Sequence, residues 1–104
     1  MQQPELWIGL VEFKPFSREA YRAAGAFTNI VSWACDVKEF QKKAEIIAAT
    51  TEMYVVEVEE AEPLAERAKR SPLTEEIDDM VLRAESNPGA IVHGSFHRYL
   101  FEEA

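Results

Sequence analysis

Residues 6–13, LWIGLVEF, carry apolar side chains at both parities: Leu6, Ile8 and Leu10 alternate with Trp7, Val11 and Phe13. Successive side chains of an extended chain point to opposite faces, so a strand of this composition has to be covered on both sides. A second segment, 26–35, repeats the demand. It sets Phe27, Val31, Trp33 and Cys35 against Ala26, Ile30 and Ala34, with Thr28 and Asn29 as its early polar members. Two such strands exclude a sheet with one fully solvated face.

The covering elements follow from periodicity. Asp36 with Glu39 three positions later has the spacing of a capping box, and it opens a helix over 37–49 whose stripe is Val37, Phe40, Ala44, Ile47 and Ala48. A third strand is predicted over 53–59, with Tyr54, Val56 and Val58 opposite Met53, Val55, Glu57 and Glu59. Pro63 then starts a short helical stretch. Ser71-Pro72 reads as the N-cap and first position of a second full helix ending near Glu85, with Leu73, Ile77, Met80, Val81 and Ala84 as its stripe. After the turn Asn87-Pro88-Gly89, residues 90–101 alternate as a last strand. Residues 14–25 read either as a long hairpin loop or as a short helical piece that Ser17 caps and Gly25 ends.

The order predicts one α+β domain over residues 1–104. Its expected form is a two-layer sandwich, ferredoxin-like in content, with a four-stranded mixed sheet and both main helices on one face. Two helices on one face leave the other face to residues 14–25 with Phe16 and Tyr21, to a second copy, or to another protein.

Of the 104 residues, 47% are apolar and eleven are aromatic, which excludes disorder from low hydrophobicity. Nineteen acidic residues against eleven basic ones give a net charge of −8. That balance weighs against nucleic acid and anionic membranes as partners and favours a basic protein. No run approaches a membrane span, the N-terminus has no basic leader, and the single cysteine builds no disulfide framework, so a cytoplasmic location is expected.

Four sets of residues could carry chemistry. His93 and His97 would lie ~13 Å apart on a strand rising ~3.3 Å per residue, which separates them too far to share a metal. Cys35, beside Asp36 and apolar neighbours, reads as a structural thiol. Arg67, Lys69 and Arg70 sit near a helix C-terminus, where cations are favoured, and are too few for a nucleic-acid footprint. Carboxylates gather in two places, Glu57, Glu59, Glu60 and Glu62 at the end of the third strand and Glu75, Glu76, Asp78 and Asp79 at a helix start. Neither a phosphate loop nor a dinucleotide fingerprint is present, and no cofactor or metal is expected. The leading reading is a non-enzymatic acidic interaction domain of the inhibitor or immunity type, binding a basic protein through those carboxylates. The alternative is a small homodimeric enzyme or small-molecule binder with a pocket near Trp7, Trp33, His93 and His97.

Overall fold

The computed structural model describes residues 3–100. Its elements are β1 (Glu5–Pro15), α1 (Arg18–Tyr21), β2 (Gly25–Ala34), α2 (Val37–Thr50), β3 (Met53–Pro63), α3 (Leu64–Arg70), α4 (Glu75–Ser86), β4 (Ile91–His93) and β5 (His97–Tyr99). The class is α+β. The sheet has five strands rather than four and is antiparallel throughout rather than mixed. Its order is β3-β1-β2-β4, with β5 also paired to β2.

The extra strand comes from a break in the predicted last one. β4 pairs Ile30 with His93 and β5 pairs Phe27 with His97, so three residues, 94–96, stand opposite two of β2. This is a β-bulge, and Glu76 seats it: its carboxylate accepts from Ser95 N and Ser95 Oγ, both at 3.3 Å. A Cβ at Gly94 would overlap that carboxylate. Phe101, the predicted end of the strand, lies outside the described residues.

β1 and β2 run side by side with Ile8 opposite Val31 and Val11 opposite Thr28. On one face Val11, Phe13, Ile30 and Ala34 pack against Phe40, Ala44 and Ala48 of α2. On the other face Ile8, Val31 and Val92 pack against Met80 and Ala84 of α4. The two main helices therefore lie on opposite faces, and the single-face sandwich expected from the sequence does not form. The reason is the one the doubly apolar strands already contain: full burial of Ile8 and Val31, each worth about 1.5–3 kcal/mol, needs a helix on their own side. Residues 14–25 cover that second face only at its margin, where the Phe16 ring lies 5.5 Å from Tyr54. They close the end of the α2 side, where Tyr21 joins the Phe13 cluster and Arg98 lies 4.7 Å over its ring.

Local signals account for most boundaries. Asp36 Oδ1 accepts from Glu39 N at 2.9 Å, and the Glu39 carboxylate reaches back to Cys35 N at 3.1 Å. Val37, predicted in the buried stripe, is 41% exposed at the first position of α2. Ser17 caps α1 as predicted, but Arg22 in the left-handed region ends it, and Gly25 belongs to β2. Ser71 ends α3 instead of opening α4, which is capped by Thr74 accepting from Ile77 N at 3.2 Å.

β3 runs to Pro63 and carries two bulges against β1. Val56 is one extra residue between the pairs Glu12–Glu57 and Phe13–Val55, and Glu60 with Ala61 stands opposite Gly9 alone. Glu60 adopts φ 52 there. The bulge at Val56 breaks the predicted alternation, so Val55 and Val58 both face α2 while Tyr54, Glu57 and Glu59 share the other side.

Candidate functional site

The apolar contacts of α4 on the second face reach Leu6, Ile8, Val31 and Val92 and stop there. Beyond that line Leu10 lies between Glu59 and Asn29, and Glu12 lies between Glu57 and Phe27, with His97 on the far side of Phe27. Leu10, Glu12, Phe27, Asn29 and Tyr99 are half-buried and Glu57 is exposed. This half of the face is a mixed apolar and acidic surface.

Glu12 is its organising residue. The Tyr99 hydroxyl donates to the Glu12 carboxylate across the full width of β2, and the Tyr99 ring lies 5.5 Å from Phe27. That reach depends on Gly25, where a Cβ would overlap the Tyr99 hydroxyl. Glu57 stands directly opposite Glu12 in the β1–β3 register. Like charges facing one another across strands oppose pairing, and Lys14, opposite Tyr54 two positions along β1 from Glu12, places a cation on the same side. Tyr54, 45% exposed and 5.5 Å from the Phe16 ring, extends the surface toward the β3 edge.

The other carboxylates singled out in the sequence have different settings. Glu62 accepts from Arg67 Nε at 2.6 Å and Arg70 Nη2 at 2.7 Å. Those side-chain hydrogen bonds, Arg70 first and Arg67 second, hold its carboxyl at about 2, well below the usual range. Glu62 is therefore a fixed partner of the basic cluster. Arg67 Nη2 also donates to the Glu60 carbonyl at 3.0 Å, tying α3 to the bulge. At the start of α4, Glu76 holds the β4–β5 bulge and Asp79 pairs with Arg83 at 2.9 Å, while Glu75 and Asp78 are exposed in the first turn.

The pocket predicted around Trp7, Trp33, His93 and His97 is not assembled. Trp7 packs on the α2 side, 6.4 Å from Phe40. Trp33 lies on the α4 side, its Nε1 donating to Ala84 O at 2.8 Å. His93 stacks 4.9 Å from Phe96 and is paired with Ile30, whereas His97 is paired with Phe27, so the bulge sends the two histidines to opposite faces. Trp33 does line a cleft of about 430 Å³ with Cys35, Glu39 and Lys43, but neither histidine reaches it. Among the described residues, no three His, Cys, Asp or Glu side chains come together as a metal site. No helix among them is long and apolar enough to cross a membrane.

Glu12, Phe27 and Tyr99 are the site residues that the sequence reading missed. The available signal was Glu12 itself, a lone carboxylate inside an otherwise apolar strand. Compared with family models, curated proteins and solved structures, the chain matches none.

Proposed function

We propose that this chain is a non-enzymatic binding module that engages a basic protein partner through the open half of its second sheet face. The observation that carries the reading is the Glu12–Glu57 pair: two carboxylates directly opposite one another on the half of the second face that, among the described residues, lies beyond the α4 cluster. A partner presenting Lys or Arg would relieve their repulsion, and Leu10, Phe27 and Tyr99 beside them supply apolar surface to hold it. The net charge of −8 would steer the same partner from a distance. A two-fold contact whose axis passes through the Glu12–Glu57 pair would bring these carboxylates against those of the copy, which disfavours self-association there. The single cysteine fits action in the cytoplasm.

The test uses wild-type protein, the Glu12→Gln/Glu57→Lys variant and an unrelated protein of the same charge as baits. A basic protein retained by wild type alone, with an association rate that falls as salt rises, is the expected outcome. Equal recovery on all three baits would show that only bulk charge is being read.

A further inference from the structure

The two edges of the sheet are built differently. On the β2 side, β4 and β5 are three residues each, separated by the bulge that Glu76 holds. On the other side, β3 is eleven residues long, and its outer edge has no strand beside it among the described residues. Exposed edges are commonly guarded by Lys or Pro, by other charged side chains or by a bulge, and β3 has the bulge at Val56. β3 contains no Lys, and its one Pro is its last residue. It presents instead the exposed side chains of Tyr54 and Val56, followed by Glu57, Glu59 and Glu60.

We propose that the outer edge of β3 accepts an extended basic segment of the partner as an added strand, alongside residues 53–59. This inference rests on the acidic-face reading and specifies the shape of what binds. The usable length is roughly 20 Å, at ~3.3 Å per residue; the extra residue at Val56 bends this edge, and Glu60 in the left-handed region with the bulge beside it ends it. On the open face an added strand would set one side chain beside Tyr54 and the following ones beside Glu57 and Glu59. The matching segment is thus apolar at one end, with Lys or Arg at the alternate positions that follow. The same carboxylates oppose pairing of β3 with β3 of a second copy, so one set of charges selects a basic strand and rejects self-pairing. Backbone hydrogen bonds along the edge would provide affinity and the alternate side chains specificity.

A charge-swapped copy of the chain, Glu57→Lys/Glu59→Lys, serves as a basic edge strand of known structure. Wild type and variant should each sediment as monomers, and an equimolar mixture should contain a one-to-one dimer that dissociates at high salt. Amide exchange in residues 53–59 should slow about tenfold or more in the mixture. A peptide of alternating Val and Lys should protect the same amides in wild type, and the same peptide with Pro at alternate positions should not. A wild-type dimer through β3, or no protection of 53–59 by either probe, would overturn the added strand. Protection at Leu10 and Phe27 instead would overturn it while leaving the acidic-face reading in place.

Discussion

The Tyr99–Glu12 contact makes Gly25 the most sensitive position of the open face. A methyl group there would overlap the Tyr99 hydroxyl and lie 2.7 Å from the Phe13 carbonyl oxygen. The first clash can be relieved by swinging Tyr99 away, at the loss of its hydrogen bond to a carboxylate, about 1.5–3 kcal/mol. The second involves the backbone of the adjacent strand, which yields only by shifting β1 from β2. Overpacking of this kind costs typically 1–3 kcal/mol. Gly25→Ala should therefore destabilise the chain by roughly 2.5–6 kcal/mol, measured as the shift of the urea midpoint at constant slope. In a Tyr99→Ala background the hydroxyl clash is gone and the backbone clash remains, so the same substitution should cost about 1–3 kcal/mol. The difference is a coupling energy between residues in contact, and a double-mutant cycle isolates it. A Gly25→Ala cost below about 0.5 kcal/mol, or an equal cost in both backgrounds, would refute the placement of Tyr99 over β2.

Phe40→Ala, at a fully buried ring, should cost roughly 3–5 kcal/mol, and Ile77→Ala on the half-buried stripe of α4 roughly 2 kcal/mol; a loss below about 1 kcal/mol at both positions would mean the stripes do not face the sheet. The carboxyl of Glu62 is depressed from its ordinary value of 4.5 to about 2, so its contribution to stability is present above pH 4.5 and is lost as the pH falls toward 2. The stability difference between wild type and Glu62→Gln should be constant at neutral pH and shrink across that window, and a difference that grows on acidification would reverse the assignment. Zinc titration of untagged protein should show no stoichiometric tight binding, since His93 and His97 lie on opposite faces; one zinc per chain, lost in both His93→Ala and His97→Ala, would contradict the bulge.

Where the sequence could be read, the signals were local and redundant. The Asp36–Glu39 box, the Phe40–Ala44–Ala48 stripe and the parity of β1 and β2 each depend on residues close in the chain, and each reappears in the structure. What failed depended on choices between similar local signals. Ser71-Pro72 and Thr74 are both competent caps, and the chain uses Thr74 because α3 already runs to Arg70, held there by Glu62. The side of the sheet taken by α4 is a tertiary choice that no stripe records. The doubly apolar first strand did contain part of the constraint, since Ile8 needs cover of its own, but it does not say whether a helix, residues 14–25 or another chain supplies it.

The three bulges explain why the candidate site was less legible than the fold. A single extra residue reverses every side chain beyond it, so an alternation rule applied straight through a bulge assigns the remaining residues to the wrong face. In β3 the slip at Val56 moves Glu57 and Glu59 onto the same face as Tyr54, and in the last strand the slip at 94–96 separates His93 from His97. Nothing in VVEV or HGSFH announces these slips on its own. Glu76 on Ser95 holds the slip at 94–96, and the third bulge, at Glu60 and Ala61, lies against Gly9, where a Cβ would be 2.7 Å from Phe40 Cε2 and 3.3 Å from Ala61 Cα. The acidic face therefore exists only once the sheet has assembled in register. Any substitution that removes a bulge should redistribute the carboxylates between the two faces before it unfolds the chain.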